Sequence, residues 1–180
     1  YTTRSSSDKF IFAYENENWV KLYKPLDEKK YKFQYLGTKE QGFIFGWKQL
    51  PENGELLIIT GGEKDVMTLA AKGFNVITLN SETATLPKSI VDELKLRFKT
   101  ILVLYDNDET GLKQSNILAV AHGLHRLVLP TLQNNGKDIS DYFANGETLE
   151  KFNALLLTAI QSPAPVELDV EKSVYNAVEL

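Results

Sequence analysis

The second half of the sequence alternates short, uninterrupted apolar runs with helical patterns. Residues 56–60, 75–79 and 100–105 are runs typical of strands buried on both faces of a sheet, and a fourth strand is predicted at residues 126–129. Helices are predicted at residues 64–71, 88–98, 112–120, a short stretch ending at Phe143, and 149–160. Alternation at this spacing predicts an α/β fold, with right-handed crossovers and a parallel sheet of about four strands flanked by helices.

The first 50 residues follow a β-like pattern, after a polar lead-in at residues 1–8 that we expect to be loose. Aromatic residues alternate with polar ones around Phe12 and Phe33, and further short strands are predicted at residues 19–23 and 43–47. This pattern predicts a small antiparallel sheet of about four strands. Most of its aromatic side chains are expected to form the core, because so small a sheet needs them for stability.

Lysines interleave with these aromatic residues, namely Lys21, Lys24, Lys29, Lys30 and Lys32. Residues 1–50 carry nine Lys and Arg against six Asp and Glu, whereas residues 51–180 carry eleven against eighteen, which gives the net charge of −4. Cations mixed with aromatic rings can hold phosphates and stack bases, so the segment is a candidate nucleic-acid-binding module. The alternative, that these lysines only keep the protein in solution, fits the charge equally well.

A turn at residues 50–54, with Pro51 and Gly54, is the predicted boundary between the two patterns. The expected organisation is a basic β-rich N-terminal subdomain (residues 1–50), an α/β domain (51–145), and a C-terminal helix with an acidic tail or linker (146–180). Because the chain begins at Tyr1 rather than Met, we expect it to be a piece of a longer protein.

Composition excludes several classes of site. The 180 residues include no cysteine and only two histidines, so disulfides, thiolate catalysis and zinc chemistry are not expected. No apolar run approaches the length of a membrane span, and no secretory signal opens the chain. We therefore expect a soluble, cytoplasmic protein with no membrane partner.

Acidic residues follow two of the predicted buried strands. Asp106 and Asp108 come at and just past the end of the strand at residues 100–105, and extended geometry points both carboxylates the same way. Glu63 follows the strand at residues 56–60 after two glycines. If these strands are neighbours, Glu63 faces the two aspartates, and three carboxylates together favour Mg²⁺ or Mn²⁺. Taken singly, each acid also fits an ordinary turn or helix start.

These motifs resemble those of a known domain. A strand followed by Gly-Glu-Lys-Asp (residues 62–65), and a second strand followed by Asp-x-Asp and a glycine, resemble the Toprim domain shared by topoisomerases, bacterial-type primases and several nucleases. The sequence is most similar to bacterial and phage primases, because DNDETG (106–111) and HRLVLP (125–130) are followed by GKDISDYF (136–143). Origin in a phage or a mobile element is the corresponding expectation.

The resemblance implies catalytic roles for the acids. Asp106 and Asp108 are expected to bind Mg²⁺ or Mn²⁺, which clamps the triphosphate of an incoming nucleotide and stabilises the leaving group. Glu63 is expected to be a further metal ligand or the general base that deprotonates the attacking 3′-hydroxyl. The implied activity is that of a DNA primase-type nucleotidyltransferase, which joins ribonucleotides into an RNA primer on DNA.

The Lys-Asp element, Lys137 and Asp138, implies further members of the site. Asp138 and Asp141 are expected to extend the metal site, while Lys137 or Lys64 offsets charge on the phosphates. The usual primase element has its second acid two residues after the first. Ser140 occupies that position here and Asp141 follows it, which departs from the family pattern.

The resemblance also implies partners. Single-stranded DNA template and ribonucleoside triphosphates are the expected substrates, and a replicative helicase, fused or separate, is an expected partner. Lys21, Lys24, Lys30 and Lys32 are the expected nucleic-acid contacts, with Lys30 or Lys32 in the place of the lysine that guides the template in primases. The zinc module that commonly precedes primase cores has no counterpart here, since the chain has no cysteine.

Two other functions remain open from the sequence. A Toprim-type nuclease uses the same acids for phosphodiester cleavage, although the Lys-Asp element and the basic N-terminal segment favour synthesis. A non-enzymatic scaffold in a replication complex, either a degenerate Toprim module or a receiver-like domain, is the other. A receiver would need its acids at the end of the first strand, a phospho-acceptor Asp at the third and a lysine after the following strand. The pattern of Glu63 and Asp-x-Asp fits that arrangement less well.

Overall fold

The computed structural model describes residues 2–6, 10–16, 18–38, 42–79 and 81–166. These residues form two compact units that divide between Phe43 and Ile44, before the turn at residues 50–54 that the sequence pattern favoured. The predicted acidic tail from residue 167 onward lies outside the described residues. No helix in the described ranges combines the length and the hydropathy needed to cross a membrane.

The first unit is a four-stranded antiparallel sheet in which each strand pairs with the next. Its strands are β1 (Thr2–Ser6), β2 (Ile11–Glu15), β3 (Trp19–Tyr23) and β4 (Phe33–Gly37), with a 3₁₀ turn at Lys29–Tyr31 before β4. The expectation of a loose lead-in was therefore wrong for residues 2–6. They pair along the whole of β2, and Arg4 Nε lies 2.6 Å from Glu15 Oε1.

The aromatic residues of this sheet share one face, but only some are buried. The register places Phe12 opposite Tyr23 and Tyr23 opposite Phe33, and the rings of each pair stack, with centroids 6.1 Å and 5.2 Å apart. Tyr14 and Trp19, on the same face, are buried, as predicted for core residues. Phe12 and Phe33 remain 39% and 51% exposed, so the prediction of an aromatic core holds for only part of this face.

The second unit is a five-stranded sheet in the order β5-β7-β6-β8-β9. Its strands are β5 (Ile44–Phe45), β6 (Gly54–Thr60), β7 (Asn75–Leu79), β8 (Phe98–Leu104) and β9 (His125–Arg126). Strands β6 to β9 pair in parallel, which confirms the predicted four parallel strands, whereas β5 runs antiparallel to β7. The helices are α1 (Glu63–Ala70), α2 (Lys88–Arg97), α3 (Glu109–His122), α4 (Ile139–Ala144) and α5 (Leu149–Gln161).

Strand β5 corrects the prediction for residues 43–47, which were assigned to the first sheet. Only Ile44 and Phe45 form a strand, and they extend the second sheet instead. Gly46 adopts a φ of 93°, and a Cβ there would lie 2.5 Å from the carbonyl oxygen of Val76. This close approach to β7 turns the chain into a 3₁₀ turn at Trp47–Gln49.

The core of the second unit lies on both faces of the sheet. Side chains that alternate along β6 and β8, such as Leu57 and Val103, pack with Val91 of α2 and Leu118 of α3. Ile58, which points to the other face, is also fully buried. Because both faces are covered, these strands read as continuous apolar runs in the sequence.

Candidate metal centre at the carboxyl edge of the sheet

The ends of β6 and β8 bring the two predicted acidic segments to one edge of the sheet. These strands are hydrogen-bonded neighbours, with Thr60 opposite Leu104, so residues 61–63 and 106–108 leave the sheet side by side. A third segment joins them, because the backbone N–H of Asn107 donates to the carbonyl oxygen of Lys137 at 2.6 Å. This hydrogen bond holds the Lys-Asp element against the end of β8.

Three aspartates meet at this edge. Asp65 on α1, Asp106 after β8 and Asp138 at the N-cap of α4 each place a carboxylate oxygen within 4.8 Å of the others. Asp65 and Asp138 are only 5% and 8% exposed, and Asp106 is half-buried. Ser140 Oγ donates to Asp65 Oδ1 at 2.7 Å and so orients that carboxylate. We call Asp65, Asp106 and Asp138 the aspartate trio.

Burial and mutual repulsion disfavour the charged forms of Asp65 and Asp106. Burial, followed by the charge of Asp138, raises the pKa of Asp65 to about 7. Burial also raises the pKa of Asp106, although its hydrogen bond from Lys137 opposes the rise. Carboxylates that resist ionisation in one another's presence become stable anions when a cation joins them.

Two lysines offset part of this negative charge. Lys137 Nζ lies 2.6 Å from Asp106 Oδ2 and 2.7 Å from Asp108 Oδ2, while Lys64 Nζ lies 2.7 Å from Asp138 Oδ2. Although partial burial opposes it, hydrogen bonds to the two carboxylates raise the pKa of Lys137. Both lysine side chains are nearly half exposed, so their ammonium groups remain accessible to an anionic ligand from outside.

The other two aspartates that the sequence offered as metal ligands lie at this edge, outside the trio. Asp108 is the N-cap of α3, and the hydrogen bond from the backbone N–H of Gly111, at 2.9 Å, together with Lys137, lowers its pKa. Asp141 accepts a hydrogen bond from the backbone N–H of Lys137 at 2.9 Å and lies 3.8 Å from Lys64 Nζ. Both carboxylates therefore also organise the backbone that carries the trio.

Glu63 is the first residue of α1 and is buried, but it is not a member of the trio. Residues two apart on a helix point in different directions. The carboxylate of α1 that lies within 4.8 Å of Asp106 and Asp138 is that of Asp65. The sequence interpretation named Glu63 as the metal ligand or general base and treated Asp65 mainly as a helix-start residue.

The sequence reasoning missed one more acid entirely. Glu82 is half-buried in the loop that follows β7, at the same edge of the sheet. Burial, then the charges of Asp106 and Asp108, raise its pKa to about 7. A signal was available, since β7 is also a parallel strand and its carboxyl end had to meet this edge.

The donor set of this edge fits a hard divalent cation. The trio supplies three carboxylate oxygens and, within the group, neither nitrogen nor sulfur ligands. Mg²⁺ and Mn²⁺ prefer such oxygen ligands, and their positive charge offsets the burial and the repulsion that raise the pKa of Asp65. The buried aspartates are thus the residues that can hold the predicted metal.

The four lysines predicted as nucleic-acid contacts lie in the first unit and differ in accessibility. Lys21 is only 6% exposed, with its Nζ 4.9 Å from the centre of the Phe33 ring. Lys24 Nζ donates to the side-chain oxygen of Gln34 at 3.0 Å. Lys30 is exposed over the ring of its neighbouring tyrosine, and Lys32 is half-buried at the end of the 3₁₀ turn.

No protein-family model matches the sequence, and no curated protein matches it either. Solved structures of primases do match. The E. coli primase catalytic core is similar with a TM-score of 0.60 at 17% identity, over 83% of this chain and 52% of that chain. A DnaG primase catalytic domain bound to single-stranded DNA gives a TM-score of 0.61 at 16% identity, over 87% and 57%. The primase fragment of the bacteriophage T7 primase-helicase protein gives 0.57 at 20% identity, over 88% and 66%.

The chain has the fold of DNA primase catalytic cores. It spans 52% of the E. coli primase core, 57% of the DnaG catalytic domain and 66% of the T7 fragment. The expected α/β architecture is thereby confirmed at the level of the fold, with a mixed rather than a purely parallel sheet.

Proposed function

We propose that this chain is the catalytic core of a DNA primase, which synthesises RNA primers on single-stranded DNA from ribonucleoside triphosphates. The observation that carries the proposal is the aspartate trio at the carboxyl edge of the sheet, in a fold shared with primase catalytic cores. The likeness of its motifs to primase Toprim domains supports the same assignment.

The proposed metal is Mg²⁺ or Mn²⁺, held by Asp106 and Asp138 together with Asp65. A divalent cation there supplies positive charge to the triphosphate and to the pyrophosphate leaving group. We assign this contact to Asp65 in preference to Glu63, because Asp65 belongs to the trio and Glu63 does not. Asp108 and Asp141 are proposed to face the same cation through the carboxylate oxygens that now contact Lys137 and Lys64. The cation would replace these lysine contacts.

Lys137 is the proposed phosphate-binding group of the site. Its ammonium now neutralises two carboxylates, Asp106 and Asp108, and its side chain is 49% exposed. Once those carboxylates have another cation, the ammonium is available to pair with the triphosphate and to oppose the charge that develops on it. Lys64, which is paired with Asp138, is proposed as a second ammonium group that pairs with the triphosphate.

The first unit is the proposed template-binding module. Its stacked rings of Phe12, Tyr23 and Phe33 are partly open to solvent, and sequence-tolerant stacking on such rings is a common way to hold single-stranded nucleic acid. Lys24, Lys30 and Lys32 are proposed to contact phosphates, whereas the burial of Lys21 leaves little of that side chain for a ligand. A replicative helicase, fused or separate, is the proposed partner protein.

Primer synthesis on single-stranded DNA tests this function. The purified chain is incubated with template, labelled ribonucleotides and Mn²⁺ or Mg²⁺, alongside an Asp106→Ala, Asp108→Ala double variant. We expect short RNA products from the native chain and none from the variant. Metal-dependent degradation of the template without RNA products would indicate a nuclease, and neither activity in either metal would contradict the proposal.

A further inference from the structure

The loop after β7 contributes an acid to the candidate centre. Strand β7 pairs in parallel with β6, with Thr78 opposite Thr60, so its carboxyl end opens onto the same edge as Gly61 and Gly62. The loop is shaped by Ser81, whose carbonyl accepts from the backbone N–H of Ala84 at 2.9 Å and whose hydroxyl lies 3.0 Å from Thr83 Oγ1. This turn presents Glu82 toward the end of β6.

Glu82 fills the space that the side chain of residue 61 would otherwise occupy. A Cβ built on Gly61 would lie 2.5 Å from Glu82 Oε1 and 3.2 Å from Asp106 Oδ1. Gly61 is not among the residues with positive φ, so its backbone does not require glycine. The glycine is needed for room, and the room holds a carboxylate next to Asp106.

The surroundings of Glu82 link it to the rest of the centre. Burial and the negative charges of Asp106 and Asp108 raise the pKa of Glu82, whereas the backbone of Asp106 lowers it. Lys137 provides a weaker, opposite influence. A half-buried glutamate beside another carboxylate is costly unless a cation shares them.

We propose that Glu82 is a metal-binding residue of this centre, contributing a carboxylate to the same divalent cation as Asp106 across the open position at Gly61. The inference rests on the proposed metal-dependent function. It assigns to the loop after β7 a role that neither the sequence motifs nor the aspartate trio includes. It also explains why residue 61 is glycine, since a larger side chain there would occupy the space of the Glu82 carboxylate.

Mn²⁺ binding, measured by electron paramagnetic resonance and by calorimetry, tests the assignment without any need for primer synthesis. Glu82→Gln keeps the shape of the side chain and removes its charge, so we expect the dissociation constant for Mn²⁺ to rise about tenfold or more. Glu55→Gln is the matched control, because Glu55 is an exposed residue at the opposite end of β6, paired with Lys99 at 2.6 Å. The control is expected to bind Mn²⁺ like the native chain.

Two further variants test the contact at Gly61. Gly61→Ala removes no acid but puts a methyl group where Glu82 Oε1 lies, so we expect it to weaken Mn²⁺ binding, and to have little further effect when Glu82 is already alanine. The double variant Gly61→Glu, Glu82→Ala moves the carboxylate to the other side of the same space. We expect it to restore the affinity to within about threefold of the native value, about 0.6 kcal/mol.

The outcomes separate this inference from the proposed function. Native Mn²⁺ affinity in Glu82→Gln, in a chain whose Asp106→Asn variant has lost binding, would overturn the role of Glu82 and leave the metal centre standing. No Mn²⁺ binding by the native chain would overturn both. Weakened binding in Glu82→Gln with rescue by the double variant would support the inference even if the native chain made no primers.

Discussion

The buried carboxylate of Asp65 is expected to destabilise the metal-free protein at neutral pH. Its pKa is about 7 in the folded chain, against the usual 3.8 that applies to the unfolded chain. At low pH both states are protonated and the penalty is absent; as pH rises from about 4 to about 7, only the unfolded chain gives up the proton, and the folded state loses stability. A rise from 3.8 to about 7 corresponds to about 4 kcal/mol.

Asp65→Asn is the perturbation that removes this penalty. The asparagine oxygen can keep the 2.7 Å hydrogen bond from Ser140 Oγ, and its amide N–H can donate to the neighbouring carboxylates of the trio. Because those carboxylates share the repulsion, we expect the free energy of unfolding to rise by about 2 to 4 kcal/mol at about pH 8. At about pH 4 we expect almost no change.

Urea unfolding followed by circular dichroism, in the presence of EDTA and at both pH values, measures the effect. The control is Asp92→Asn, since Asp92 is an exposed acid on α2 paired with Lys88 at 2.8 Å and should change stability by less than about 0.5 kcal/mol. A variant no more stable than the native chain at high pH would refute the reasoning. An equal gain at both pH values would do so too, because the penalty would then not come from ionisation.

Three further predictions concern the site and its support. Lys137→Met removes an ammonium that competes with metal, so Mn²⁺ should bind about tenfold more tightly in calorimetry; unchanged affinity would contradict this. Gly111→Ala sets a methyl group against the backbone oxygen of Asp106, and urea unfolding should show a loss of about 2 kcal/mol or more; a neutral change would show that α3 can shift. Phe33→Ala should weaken single-stranded DNA binding about tenfold in fluorescence anisotropy; Leu36→Ala, exposed on the opposite face of the first sheet, should not, and equal losses would argue against stacking.

The central strands could be predicted from sequence because their burial is visible there as apolar runs. Residues 75–79 were located without error, and β6 and β8 differ from their predictions only at the ends, since strands covered on both faces leave continuous apolar runs. Residues 2–6 and 44–45 carry no such signal. Their pairing with β2 and β7 depends on tertiary contacts, which cannot be read from short polar or mixed segments.

The acids of the candidate site could be predicted from sequence where they directly follow a strand. They could not be predicted where the path of a loop or the orientation of a helix determines which side chain enters the site. Asp106 follows from the buried run before it, and Asp138 from a motif. The role of Asp65 could not be read from the sequence, because the orientation of α1 decides which of its acids joins the trio. That orientation is known only from the three-dimensional structure, which distinguishes Asp65 from Glu63. Glu82 stands in a loop with no motif, and its place became visible only through the space at Gly61.

The central claim is that the trio holds the cation on which primer synthesis depends. Dinucleotide formation on single-stranded DNA, measured across a Mn²⁺ titration for the native chain and for Asp138→Asn, tests it most directly, because asparagine preserves the N-cap of α4 while removing the charge. The account predicts that the variant needs at least about tenfold more Mn²⁺ and reaches a lower maximal rate. Identical titrations for the two proteins would contradict it.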